Sequence, residues 1–360
     1  MGELRFLTAG ESHGQRLTAI LDGIPAGVQI DRKNIDNELA RRQKGYGRGD
    51  RMKIEKDKIE IFSGVRFGET LGSPITLSVK NKDWENWKDR MAVFDEPTGD
   101  KVTAPRPGHA DLAGILKYDR KDIRDILERS SARETTMRVA VGAVCKEFLR
   151  PLGISIKSKI IMIGGETETV KMNAFIDEAK ANGDTLGGIF QIEVDNLIVG
   201  LGSHVQWDSK LDGRLAQSLM SIQAIKGVEI GAGFECAIKP GSEIHDEIFF
   251  DERRRYFRKT NRAGGLEGGM TNGEKLVIRA VMKPIPTLMK PLRTVDIETH
   301  EEKSAAKERS DTCAVEACAV VGEAMTAFTI AQAVLEKFGG DSIHDVINSI
   351  DNYRARLNER

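Results

Sequence analysis

Apolar and polar residues alternate along Lys58 to Val65, Pro74 to Val79, Ile154 to Ile163, Ile189 to Val199 and Leu276 to Met282. A period of two puts every second side chain on one face, so these segments predict half-buried strands. Between them the spacing becomes helical. Asp31 can cap a helix whose apolar stripe is Ile35 and Leu39 and which ends near Gly45, and Leu211, Leu215, Leu219 and Ile222 form a second stripe. Ser131-Ala132-Arg133-Glu134 has capping-box spacing ahead of Val139, Val141, Val144 and Phe148, which predicts a third helix. The longest apolar run, Cys313 to Phe338, contains Glu316, Glu323 and Glu336. A bilayer would penalise those charges, so the run reads as a buried core helix.

Strands and helices interleave with no Gly/Ser-rich or Pro-rich linker, so one packed α+β body is expected. A short internal similarity crosses it. Val28-Gln29-Ile30-Asp31, then Ile35-Asp36 and Leu39-Ala40, resembles Val205-Gln206-Trp207-Asp208, then Leu211-Asp212 and Leu215-Ala216. Two unrelated capped helix starts would look alike, and so would a duplication giving pseudo-symmetric halves. Asn81 to Pro107 holds Trp84, Trp87, Pro97 and Pro105 without a clear period. A segment of that length leading into a Gly-flanked histidine is read as a loop covering a site.

Composition narrows the function. The 360 residues exceed what one small core supports, and 54 basic residues nearly cancel 55 acidic ones. With no global field, nucleic-acid and membrane binding are not expected, and anion binding must come from local clusters. Cys145, Cys236, Cys313 and Cys318 have neither C-x-x-C nor zinc-ligand spacing and read as reduced thiols. No basic stretch followed by an apolar run opens Met1 to Ser12, so a cytoplasmic location is expected.

The chemistry-bearing residues gather in glycine contexts. His13 sits in Gly10-Glu11-Ser12-His13-Gly14 and His109 in Arg106-Pro107-Gly108-His109-Ala110-Asp111. Histidines beside hydroxyls and carboxylates in such tight turns are candidates for proton transfer. His204, His245, His300 and His344 lack that setting and read as structural. Arg41, Arg42, Arg48 and Arg51 flank Gly45 to Asp50, and Arg129, Arg133 and Arg138 flank Ser130-Ser131. Guanidinium forks suit carboxylate and phosphate oxygens, and the helix start at Ser131 would add backbone N–H donors. The run Arg262 to Gly273 is glycine-dense, but it precedes a strand, so neither a Rossmann fingerprint nor a P-loop fits. Its paired glycines suggest close packing on a flat ligand. Lys283-Pro284-Ile285-Pro286-Thr287 follows, stiffened by its prolines. Asp311, in Arg309-Ser310-Asp311, reads first as a cap for the apolar helix.

Taken together, GESHG, RPGHAD, RSSARETTMR, AIKGVEIG, NRAGGLEGGMTNG, KPIPT and RSDTCAV stand in the order and spacing of the chorismate synthase family, so the chain resembles that family over nearly its whole length. Glu316 departs from the proline the family often carries just after RSDxCAV. The resemblance implies a layered β-α-β sandwich with internal pseudo-two-fold symmetry. The chain would form one domain of residues 1–360, with halves at about 1–170 and 171–340 plus a C-terminal helix. It also implies a homotetramer, and a carbon–oxygen lyase that removes phosphate and a ring hydrogen from 5-enolpyruvylshikimate-3-phosphate in an anti 1,4-elimination, giving chorismate. Reduced FMN is required without net redox change, as a loan of electrons. NADPH enters only to reduce the flavin, and the sequence leaves open whether a separate flavin reductase is needed.

Carried over by motif, His13, His109, Asp311, Ser12 and Ser131 match the family's catalytic positions, with His109 toward the flavin, His13 toward the departing phosphate and Asp311 as proton relay. Arg129, Ser130, Ser131, Gln223, Ala224, Gly268, Lys283, Pro284, Ile285, Pro286, Thr287 and Arg309 match flavin contacts. Arg42 and Arg48 match NADPH contacts, and with Arg106 and Arg133 they are also expected to hold substrate. No metal is expected. A phosphotransferase would need a P-loop or kinase pattern, and an RNA-binding module a basic domain with stacking aromatics; net charge is −1 and aromatics are 6%.

Overall fold

The structure is a computed structural model describing residues 3–49, 56–96, 98–305 and 311–359. Strand β1 (Arg5–Ala9) pairs antiparallel with β2 (Arg16–Asp22), helix α1 (Arg32–Gln43) follows, and β3 (Glu60–Ile61) and β4 (Ile75–Lys80) complete a sheet of spatial order β1-β2-β4-β3. Alternation buries Leu17, Ala19 and Leu21 of β2 and Ile75, Leu77 and Val79 of β4. After α2 (Asp111–Tyr118) and α3 (Arg124–Ser130), α4 (Thr135–Leu149) packs across that apolar face.

The pattern then repeats. Strands β5 (Ser155–Ile163) and β6 (Gly188–Asp195) are joined through α5 (Thr169–Ala181). Next come α6 (Leu211–Met220), β7 (Ile225–Ile230), β8 (Leu276–Met282) and α7 (Val315–Phe338). This sheet has spatial order β5-β6-β8-β7, the first order with every label raised by four. Helices α4 and α7 lie against each other between the two sheets, with a C-terminal α8 (Ile343–Asn358) outside them. One apolar core runs through both units, from Leu4 to Ile350.

The chain passes from the first sheet to the second at the turn Arg150–Leu152, after which β5 pairs with β6. The two similar segments occupy equivalent places: α1 and α6 each follow the second strand of a sheet, and Ile35, Leu39, Leu211 and Leu215 are all fully buried. Their starts differ. Asp31 caps α1, accepting from the Lys33 N–H at 2.8 Å, whereas Asp208 lies in the turn Trp207–Ser209 and makes no cap. The strand expected over 58–65 is split: Glu60–Ile61 joins the sheet, and beyond Gly64, at φ +77°, Val65 begins a separate short hairpin with Thr70. Strands β1 and β2 escaped the pattern because Leu7 and Ile20 face outward, 76% and 45% exposed, which erases the alternation.

A polar knot interrupts the helical layer. Glu323 of α7 is fully buried and takes Arg41 of α1 at 2.7 Å, Lys146 of α4 at 2.6 Å and the Ser158 hydroxyl of β5 at 2.6 Å. Burial opposes its charge, but these donors outweigh it and lower the carboxyl to about 2.

Candidate functional site

The segments that interrupt the two repeats converge on one end of the sandwich and enclose a cavity of about 530 Å³, within the usual range for small-molecule sites. Ser12 and His13 come from the β1–β2 loop, Arg42 from the end of α1, Arg106 and His109 from the segment before α2, and Ser130 and Ser131 from the end of α3. The second half supplies Gln223 and Ala224, the stretch after β8, and one side of the first turns of α7. Among the described residues, Arg42, Arg48, Arg106, Arg133 and Lys283 line it against one carboxylate, Asp311. Ala314, Ala317, Cys318 and Val321 form an apolar wall, where burial pushes the Cys318 thiol up to about 12 and keeps it neutral.

Each cavity histidine rests on a buried carboxylate. Nδ1 of His13 lies 2.8 Å from Glu128, which also accepts the His13 backbone N–H at 2.9 Å and Arg124 at 2.7 Å. The Trp87 ring stacks on the His13 imidazole with centroids 4.1 Å apart. Nδ1 of His109 lies 2.5 Å from Asp111, whose other oxygen accepts Arg106 Nε at 2.8 Å. Burial alone would raise both carboxyls, yet the hydrogen bonds from His109 and Arg106 to Asp111, and from His13 to Glu128, hold each below its ordinary value.

The arginines are organised from behind. Asp57 accepts Arg133 at 2.7 Å and Arg42 at 3.2 Å, and Asn81 accepts Arg133 Nε at 3.0 Å. Burial lowers Arg42 to about 10; Asp57 opposes this, while Arg133 and Arg48 add to it. Arg48 pairs with Asp311 at 2.8 Å, and the Gly49 N–H donates to the same carboxylate at 2.6 Å. Asp311 therefore does not cap α7, whose N-cap position is Ala314. Glu316 accepts the Tyr46 N–H at 3.0 Å and so ties the Arg48 loop to the head of α7.

The chorismate synthase family model matches residues 4–335. The chain belongs to the chorismate synthase family. It is similar to the chorismate synthase of Pelobacter propionicus, 56% identical with 98% of this chain and 99% of that protein covered. That of Thermoanaerobacter pseudethanolicus is 57% identical, with 97% and 98% covered. A crystal structure of a chorismate synthase superposes with a TM-score of 0.81 at 42% identity, covering 100% of both chains.

Within the chorismate synthase fold, His13, His109, Asp311, Ser12 and Ser131 share the cavity, as do Ser130, Gln223, Ala224, Lys283, Ile285, Pro286, Thr287, Arg42, Arg48, Arg106 and Arg133. Pro284 is not on its wall. Arg129 is also off the wall; its guanidinium reaches the Thr8 carbonyl at 2.9 Å and holds α3 against β1. Gly268 turns the small hairpin of Leu266–Glu267 and Met270–Thr271, away from the lining of this chain. The paired glycines before it pack against backbone rather than a ligand: a Cβ on Gly264 would meet the Gly231 nitrogen at 2.3 Å. Arg309 and Arg51 lie outside the described residues. The expected capping box is half formed. Ser131 accepts the Arg133 N–H at 3.3 Å, but Glu134 turns to Thr8, Arg138 and Gln223.

Sequence reasoning missed Glu128, Asp57 and Asn81, whose partners lie far along the chain. Only the four-residue spacing of Arg124 and Glu128 was a readable signal. The segment Asn81–Pro107 does cover part of the site: Asn81 Nδ2 donates to the Gly14 carbonyl at 2.6 Å, and a single helical turn, Trp84–Trp87, delivers Trp87 to His13.

Proposed function

We propose that this chorismate synthase family member converts 5-enolpyruvylshikimate-3-phosphate to chorismate, the last common step of the shikimate pathway, as a carbon–oxygen lyase acting on a phosphate ester. The observation that carries the reading is the convergence of His13, His109 and Asp311 on one cavity walled by five cations among the described residues. A substrate with two carboxylates and a phosphate must shed water to enter, and fixed guanidinium groups replace the solvation it loses.

The cavity suits a flavin as well. The Gln223 Oε1 is buried without a hydrogen-bond partner among the described residues, the apolar side of α7 offers a flat wall, and Ser130-Ser131 precede the N-terminal turn leading into α4. Ser130, Ser131, Gln223, Ala224 and the backbone from Lys283 to Thr287 would hold it, with Arg42 and Arg48 serving NADPH or substrate. Bound reduced FMN supplies reversible electron donation, so the elimination needs no net oxidant. His13 would pass a proton through Nε2 to the departing phosphate, His109 would present its ring toward the flavin, and Asp311 would relay the ring proton. Arg42, Arg133 and Arg106 orient the anion, and α7 with Trp87 excludes water.

We further propose a cytoplasmic homotetramer. Its four cysteines are unpaired, and Leu7, Phe67 and Trp207 expose 76%, 90% and 82% of their surface, which suits burial in an assembly. An anaerobic assay with chemically reduced FMN, run with and without NADPH, tests activity and reductase dependence together. Absence of chorismate with reduced FMN present would end this reading.

A further inference from the structure

Both histidines meet a carboxylate, but the one behind His13 is built more closely. Glu128 is 2% exposed and sits on α3, two residues before Ser130, which ends that helix. Its carboxylate accepts two groups of the same residue, the His13 backbone N–H at 2.9 Å and Nδ1 at 2.8 Å. The Glu128 backbone carbonyl accepts the neighbouring Ser12 N–H at 3.0 Å. Arg124, one helical turn earlier, donates to the other carboxylate oxygen at 2.7 Å. An ionised carboxylate only accepts, so Nδ1 facing it must carry a hydrogen. The opposite nitrogen, Nε2, has no partner among the described residues, and the ring borders the cavity. Trp87 packs over one face of the ring and limits its rotation.

We propose that Glu128 is the positioning residue of His13: held by Arg124, it takes the main-chain N–H and the Nδ1 hydrogen together, so that Nε2 alone faces the cavity and exchanges the catalytic proton. Bidentate capture of backbone and ring fixes both the loop and the imidazole plane. A histidine presented in the wrong tautomer offers a C–H or an occupied nitrogen where a proton must move. The functional consequence rests on His13 acting in the elimination; the tautomer does not.

The test uses the full-length enzyme. Nitrogen-15 spectra of the His13 imidazole, recorded at a pH where the ring is neutral, should show hydrogen on Nδ1. Hydrogen on Nε2 would overturn the assignment, and so would rapid exchange between tautomers. Glu128→Gln should lower kcat by about tenfold to a hundredfold, the usual scale for groups that orient an active ligand, with KM within about threefold. Combined with His13→Ala, it should cost nothing more than His13→Ala alone. An unchanged kcat, or a full additional loss in the double variant, would place Glu128 outside this role. Should Glu128→Gln fail to fold, the wild-type spectrum still decides. Full activity in His13→Ala would instead remove His13 from the reaction and leave the tautomer result standing.

Discussion

Asp111 shows how much a single residue carries here. It is fully buried and joins Arg106, which also reaches Thr287 at 3.3 Å, to the ring of His109. Replacing it with asparagine leaves Arg106 buried beside a neutral amide, a penalty of about 3–5 kcal/mol for breaking a buried pair. Its folded-state pKa is depressed, so its stabilisation is complete above its ordinary value of 3.8 and is lost as pH falls below that. Urea midpoints for wild type and Asp111→Asn should therefore lie far apart at neutral pH and approach each other under acid conditions. His109→Ala and Asp311→Ala are expected to keep flavin binding while lowering turnover by roughly two to four decades, the range for lost acid-base catalysis. Flavin titration alongside turnover checks the pair, and near-normal activity in both would remove them from the mechanism. The motif around His109 was legible in the sequence because Arg106, His109 and Asp111 lie within six residues. Glu128 was not, since 115 residues separate it from His13.

Elements are set by how closely α4 and α7 approach. A Cβ on Gly142 would lie 2.3 Å from the Ala324 Cβ and 2.6 Å from its backbone oxygen. Gly142→Ala must push the two helices apart, and a destabilisation of about 1–3 kcal/mol is expected from overpacking, readable as a lowered Tm. The same crossing carries the Glu323 knot, which fixes Arg41 and so the turn of α1 from which Arg42 enters the cavity. Glu323 is held at about 2, below its ordinary 4.5, so its contribution is complete above that ordinary value and fades as pH falls toward the depressed one. Glu323→Gln should cost about 3–5 kcal/mol at neutral pH, with the gap to wild type narrowing toward pH 2. Helix α7 itself was legible from composition, and its glutamates speak against a membrane span: the structure buries Glu323 in a salt-bridged knot and pairs Glu336 with Arg214.

At the scale of the molecule, charge is balanced overall and uneven inside. With a net charge of −1 there is no long-range attraction for an anion, so the proposed recognition would rest on local cations, of which the described residues place five in the cavity. Rising ionic strength is expected to raise KM for the substrate moderately while kcat changes little, because partly buried pairs are screened less than surface ones. A KM independent of salt would argue that the arginines do not meet the substrate. The strand order repeats between the two sheets, and the cavity is lined from both sheet units.

The kinds of element, the apolar helix, and the short motifs whose reactive groups are neighbours in the chain were readable from the residues alone, because period and glycine geometry are local properties that need no partner. That Glu128 stands behind His13, that Asp311 holds Arg48 instead of capping α7, and that Glu316 anchors Tyr46 came from the folded arrangement alone. Those pairings join residues scores of positions apart. A buried charge accepts whichever partner the packed sheets and helices bring within about 3 Å, and no local pattern records that distance.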